Sequence, residues 1–347
     1  MGVTKKEFGK NSKGEQAYLY EITNAAGMKA IVTDFGATLH SLYVPDKDGQ
    51  MRDVVWGYDT VQEYEIDNGP FFGATVGRIA NRTGGAVVTI NGVDYHMEAN
   101  ERTNCLHSGS QCYHVRMWET EILENGVRFS ILSPDGDQGL PGNFDISVTY
   151  TLTDENGLKI TYDGISDKDT YVSMTNHSYF NLNGENSDSI LEHELWLNAD
   201  AFTRVNNEMI STGEILDVAG TAMDFRTAKP LGRDINNDEE PLNIGSGYDH
   251  NFVLNAHAAD KAVAKVTSEE SGIVMEIFTD CPGMQVYTGN FLCDKPGKRG
   301  RIYPNRSAVA FETQQFPDAM HHDNFPSPLV KAGESFQTET EYRFSVQ

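Results

Sequence analysis

Residues 144–153 read FDISVTYTLT, an unbroken alternation of apolar and polar side chains. In an extended chain Phe144, Ile146, Val148, Tyr150 and Leu152 share one face, and Asp145, Ser147, Thr149, Thr151 and Thr153 share the other. Such a strand buries one face in a core. The same period returns in residues 336–346, where Phe336, Tyr342, Phe344 and Val346 are in phase. Asn-Gly pairs at Asn91-Gly92, Asn125-Gly126 and Asn156-Gly157 each lie between two β-prone runs. Asn-Gly accepts the positive φ values of a two-residue turn, so each pair predicts a tight antiparallel hairpin. Helical periodicity is weak, with a turn or two expected near Val61–Glu65 and Ala256–Lys261. The acidic run Asp238-Glu239-Glu240 reads as a solvated loop. The expected fold is all-β: one large antiparallel β-sandwich domain over residues 1–347, with a closed barrel as the weaker alternative.

Composition bounds the function. The chain has 347 residues, and its 27 basic and 51 acidic side chains give a formal net charge of −24. A phosphate backbone or an anionic membrane surface calls for a basic face, so neither nucleic acid nor membrane is an expected partner. No apolar run reaches the roughly 18 residues of a membrane span. The opening MGVTKKEFGK lacks the apolar core of a signal peptide. Cys105, Cys112, Cys281 and Cys293 show no CxxC spacing, so reduced thiols and a cytoplasmic location are expected.

Polar residues interrupt the strand pattern in several patches. In residues 77–82 Arg78 and Arg82 are both placed to hold ligand oxygens, because a guanidinium offers a planar fork of donors; surface ion pairs are the plainer explanation. His107 lies among small residues in 104–109. Residues 175–182 (TNHSYFNL) pack so many polar groups between β-prone runs that they must be paired if buried, and His177 stands among them. Asp249 and His250 are adjacent, so in a strand they face opposite ways and do not serve one site together. Glu312 follows the apolar run AVAF, and an acid held at a buried position has a raised pKa suited to proton transfer. Metal spacings such as HExxH are missing, and His321-His322-Asp323 reads as a loop. There is no GxSxG elbow, no phosphate loop and no strand–GxGxxG–helix unit. No cofactor and no metal are expected. What is left is acid/base chemistry on a neutral, polyhydroxylated ligand.

These same residues resemble the aldose 1-epimerase (galactose mutarotase) family. The resemblance runs through NAAGMKAIVTDFGATLHSLYVPDKDG (24–49), RDVVWGYDTVQEY (52–64), TVGRIANR (75–82), NCLHSG (104–109), DGDQGLPGNF (135–144), TNHSYFNL (175–182), GYDHNFVL (247–254), PGMQVYTGNFL (282–292) and FETQQFPDA (311–319). It implies a supersandwich fold and interconversion of the anomers of free hexoses such as galactose and glucose. It implies His177 as general acid, acting as an imidazolium, and Glu312 as general base. His107, Asn81, Arg82, Asp249 and Gln285 fall on substrate-binding positions. The expected partner is a small-molecule hexose, and the expected assembly a monomer or weak homodimer. One departure stands at Ser108, where the family commonly has glycine; its added β-carbon bears on the loop after His107. Two other classes compete. A sugar-binding module without turnover is disfavoured because both His177 and Glu312 are present. An epimerase for phosphorylated hexoses needs a basic pocket, which the charge of −24 disfavours.

Overall fold

A computed structural model describes residues 2–66, 69–184, 186–256 and 260–347. Strand Phe144–Leu152 pairs antiparallel with Gly126–Ser133 on one side and Gly157–Ser166 on the other. Its apolar set is buried, as the period of two requires, while Asp145 is exposed. The C-terminal strand Ser335–Val346 joins next, and the sheet continues through Ile273–Thr279, Ala262–Thr267, Glu194–Leu197 and Lys229–Pro230. With Glu119–Ile122 at its other edge it has nine strands. A second, six-stranded sheet runs in the order Tyr179–Phe180, Val309–Gln314, Gly283–Tyr287, Asp249–Leu254, Ala199–Val205, Ser211–Asp217. A five-stranded sheet is built from consecutive strands between Gly2 and Asp53.

The largest core joins the two big sheets. Ile146, Val148 and Tyr342 from the nine-stranded sheet share one buried cluster with Phe252, Met284, Val286 and Phe311 from the six-stranded one. This is sheet-on-sheet packing, an all-β sandwich. It also explains the site's location. In Val309–Gln314 the residues Val309 and Phe311 enter that core. Period-two geometry therefore turns Glu312 to the opposite face of the sheet.

Local details refine the expectations. Only Asn91-Gly92 is a two-residue turn with both φ values positive, at 52° and 77°. Asn156 is also left-handed at φ 58°, but its loop runs from Thr153 to Gly157. At the third hairpin Leu123 N–H donates to Gly126 O, which puts Glu124-Asn125 at the tip. Val346 is 44% exposed at the end of its strand and leaves the core phase. Val61–Ile66 is a short helix; the turn expected near Ala256–Lys261 lies partly outside the described residues. The acidic run is not simply a loop. Glu240 opens the helix Glu240–Gly245, and the Glu239 carboxylate accepts the Ala222 N–H. Among the described residues no helix is long and apolar enough to cross a membrane.

Candidate active site

The polar face of the six-stranded sheet forms one wall of a cleft of about 590 Å³. Glu312 and Gln285 are direct cross-strand partners, and Asp249 pairs with Tyr287 on the next strand. Alternation puts Asp249, Gln285, Tyr287 and Glu312 on this face of the sheet; Asp249, Tyr287 and Glu312 line the cleft, whereas Gln285 is buried and meets it through Asp249. His250, one residue on from Asp249, is buried beside Phe202, so the two do point apart. His177 arrives from strand Thr175–His177, which pairs with Ala74–Val76. The amides around it are paired, as burial demands: Asn176 Nδ2 donates to Gly73 O and Tyr150 Oη, and Asn181 Nδ2 to Ser307 O, whereas Thr175 Oγ1 and His177 Nδ1 are buried without a partner.

At the floor His177 Nε2 lies 3.5 Å from Glu312 Oε1, with side chains only 6% and 3% exposed. That separation exceeds an ordinary hydrogen bond of about 2.7–3.2 Å, so each group keeps capacity for a third partner. Burial pushes the Glu312 carboxyl well above its usual range; the nearby Asp249 charge adds to this and Arg82 opposes it. Glu312 Oε2 has no hydrogen-bond partner in the protein, so no hydrogen bond there offsets the cost of a buried charge. Burial likewise lowers His177 to about 4. Burial thus pushes each group toward its neutral form. Desolvation penalises the charged form of both groups, so the imidazolium expected on His177 needs a partner charge to offset its burial.

His107 sits at φ 52° in a left-handed turn. Its Nδ1 accepts the Asn81 N–H at 3.0 Å, so the ring proton resides on Nε2. His107 N–H in turn donates to Asn81 O. Burial lowers its pKa far below that of a free imidazole, with His177, Arg82 and His114 adding to the effect. His107 is thus a neutral donor. The loop after it is held by the unexpected serine. Ser108 Oγ accepts from Ile79 N–H at 2.8 Å and donates to Ile79 O at 2.9 Å, and the backbone takes φ 64°.

The two arginines of residues 77–82 part company. Arg82 lines the cleft and is held by Glu101, Nε to Oε2 at 2.6 Å and Nη2 to Oε1 at 2.9 Å. Burial works against its charge, but the Glu101 bond, with Asp249 and Glu312 nearby, outweighs that and raises its pKa. Arg78 is wholly buried and holds backbone and hydroxyl groups: Pro141 O at 2.7 Å, Thr170 Oγ1 at 3.0 Å and Ser133 Oγ at 2.8 Å. It is a structural residue, not a ligand one. Gln285 Nε2 donates to Asp249 Oδ1 at 2.6 Å. Burial raises the Asp249 pKa, against the pull of Arg82 and Gln285.

Sequence reasoning missed several cleft residues. Phe71 (φ 56°) lays its ring 4.6 Å from His107 and 5.8 Å from His177. Tyr179 lies 5.0 Å from the His177 ring. Both look like core aromatics in sequence, and nothing there marks them. Glu101, Arg102 and Lys295 also line the cleft. The acidic side chains Glu101, Glu208 and Asp249 stand on the same lining, so the wall is mixed in sign.

His107, His177 and Glu312 bring ligand atoms within 4.8 Å of one another. A divalent metal needs a lone pair from each. His107 has spent its Nδ1 lone pair on the Asn81 amide and carries a proton on Nε2, so this set does not fit a metal. His321 and His322 do not gather with Asp323: His321 bonds Asp318, and His322 Nε2 bonds Ser211 O.

The sandwich is that of the aldose 1-epimerases. The sequence profile of that family matches residues 18–343, and the chain belongs to it. It is 38% identical to the galactose mutarotase of Rattus norvegicus, covering 100% of this chain and 99% of that one. It is 39% identical to the aldose 1-epimerase of Haemophilus influenzae, covering 95% and 96%. The crystal structure of an aldose epimerase homologue from C. elegans superimposes with a TM-score of 0.88 at 35% identity, covering 95% of this chain and 99% of that one. The galactose 1-epimerase of Lactobacillus acidophilus gives 0.87 at 25% identity, covering 99% and 98%.

Proposed function

We propose that this protein is an isomerase, an aldose 1-epimerase that interconverts the α and β anomers of free hexoses such as galactose and glucose. The observation that carries the reading is the buried His177–Glu312 pair at 3.5 Å. Anomerisation removes the proton of the C1 hydroxyl and adds one to the ring oxygen O5. The ring opens to the aldehyde, the C1–C2 bond rotates, and the other face closes. Opening and closure break and re-form the C1–O5 bond with a proton transfer at each oxygen, the rotation between them moves no proton, and there is no net redox change.

A pair that holds one proton between two groups is suited to this cycle. Entry of the sugar replaces lost solvent with hydroxyl donors, which offset the cost of ionising Glu312, and the proton passes to His177. Glu312 then takes the O1 proton while His177 protonates O5. After ring opening the carboxyl is protonated and the imidazole neutral, the forms toward which burial pushes both groups. Closure on the opposite face uses the same groups in exchanged roles. Each positioned acid or base contributes roughly 10²–10⁴-fold.

His107 Nε2–H is the donor that holds O5. Asn81 Oδ1 is occupied by the Arg82 N–H, which leaves its amide nitrogen for a sugar hydroxyl. Arg82, Asp249 and Gln285 fix the remaining hydroxyls. Four unpaired cysteines fit a reducing, cytoplasmic setting. Polarimetry of freshly dissolved α-galactose or α-glucose tests the reading. Optical rotation should relax at a rate proportional to added protein, and a rate equal to buffer alone overturns it.

A further inference from the structure

Asp318 is a buried carboxylate, 4% exposed, that does not line the cleft. It belongs to the segment FETQQFPDA (311–319), past the end of the strand that carries Glu312. Its Oδ1 accepts the Gly84 N–H at 2.9 Å and bonds His321 Nδ1 at 2.7 Å. Its Oδ2 lies 3.7 Å from His322 Nε2. The Gly84 bond joins residues 234 positions apart in sequence. It ends on the turn that directly follows Arg82-Thr83.

The turn that carries Asp318 is packed on both sides. Ala319 shares a buried cluster with Phe316 and Phe325, against Val253 of the six-stranded sheet. Met320 packs against the cluster of Ile79, Ala86, Val88 and Ile90. Asp318 itself takes φ 60°, a left-handed conformation that Asp and Asn adopt more readily than other residues with a β-carbon. Gly84 permits the close approach: a β-carbon there would stand 3.2 Å from Asp318 Oδ2, nearer than the roughly 3.5–4.0 Å of optimal contact. The turn therefore links two parts of the chain that face each other across the cleft, the strand of Glu312 and the loop of Asn81 and Arg82.

We propose that Asp318 is a positioning residue for sugar binding, holding the loop of Asn81 and Arg82 in register with the strand of Glu312. This rests on the reading of the cleft as a hexose site. The Arg82 guanidinium is aimed by Glu101, but its backbone needs a separate anchor. Asn104 Oδ1 supplies one from nearby in sequence, by accepting the Gly85 N–H at 2.9 Å. Asp318 supplies the other from the wall that carries Glu312. A loop released from Asp318 misplaces Arg82 against the sugar hydroxyls and leaves His177 and Glu312, which stand on strands of their own, where they are. The effect falls on binding and not on proton transfer.

The test compares Asp318→Gly, which removes the carboxylate, with Asp318→Asn, which keeps an acceptor for the Gly84 N–H; both replacements accept φ 60°. Steady-state anomer exchange of galactose is measured for wild type, both variants, Arg82→Met, and Asp318→Gly combined with Arg82→Met, with thermal unfolding alongside. Asp318→Gly should raise KM by about 3–10-fold, the worth of one hydrogen bond, with kcat within about twofold of wild type. Asp318→Asn should return KM to within about twofold of wild type. In the Arg82→Met background Asp318→Gly should change KM by no more than about twofold, because the two residues act through one group. If Asp318→Gly does not fold, Gly84→Ala decides: crowding Asp318 from the loop side should raise KM with kcat kept, and a wild-type KM overturns the proposal. A fall in kcat at unchanged KM, no rescue in Asp318→Asn, or equal effects of Asp318→Gly in the two backgrounds also overturns it and leaves the hexose reaction standing. A wild type that exchanges no sugar overturns the reading beneath it.

Discussion

His177 Nε2 stands 3.5 Å from Glu312 Oε1, and both side chains are almost entirely removed from water. Two ionisable groups so placed titrate as a pair, and the pair is active in the form that holds one proton. Burial lowers His177 to about 4 and raises Glu312 well above the ordinary carboxyl.

The pH profile of kcat/KM follows from that count. Below a pH of about 4 the pair takes a second proton and loses its base, so activity falls on the acid side. It falls again on the basic side, above the ordinary carboxyl range, when the last proton leaves. Anomer exchange measured across pH should show a broad plateau between these limits. An acid limb centred on the ordinary imidazole value, about 6.5, contradicts the account.

Glu101 touches Arg82 and aims its guanidinium into the cleft. Partly exposed ion pairs contribute about 0.2–1 kcal/mol, so Glu101→Gln should raise the hexose KM by about 2–5-fold with little change in kcat. Steady-state kinetics separate the two constants. A fall in kcat at unchanged KM would mean that Glu101 acts on the chemistry and not through Arg82.

Arg78→Met and Arg82→Met should diverge although they are four residues apart. Arg78 has its guanidinium hydrogen-bonded in the interior, and its loss leaves buried acceptors unpaired, at about 1–3 kcal/mol for each group orphaned. Its Tm should drop by several degrees or more. Arg82→Met should keep Tm and raise KM. The reverse pattern would refute the division of roles.

Ser108→Ala removes the hydroxyl that holds both backbone polar groups of Ile79. The expected loss is about 1–3 kcal/mol, read as a lower urea midpoint at unchanged m-value. Wild-type stability in this variant would show that the Ile79 groups find other partners.

Much of this was legible in the sequence, for reasons specific to particular residues. The period of two in FDISVTYTLT carries its own burial pattern, so the hairpins running from Glu119 to Ser166 could be read directly. Glu312 could be placed because the apolar AVAF run forces its strand into the interior. The chemistry of His177 and Glu312 came from resemblance, since strand logic alone does not say that two residues 135 positions apart meet (312 − 177 = 135). Arg78 and Arg82 looked equivalent because residues four apart share a face in an unbroken strand; the left-handed turn at Asn81, φ 62°, breaks that alternation and sends the two side chains to different surroundings. Phe71 and Tyr179 were hidden for a different reason: an aromatic ring against a catalytic imidazole has the same sequence signature as one in a core. The protonation state was hidden too, because it depends on solvent exclusion, which only the packed structure defines.

The most direct measurement is NMR exchange between the α and β anomers of galactose with wild type, Glu312→Gln and His177→Asn at neutral pH. Each variant should lose about 100-fold or more in kcat while its thermal unfolding stays close to wild type. Glu312→Gln exchanging the anomers at the wild-type rate would contradict the assignment of the base and with it the one-proton cycle.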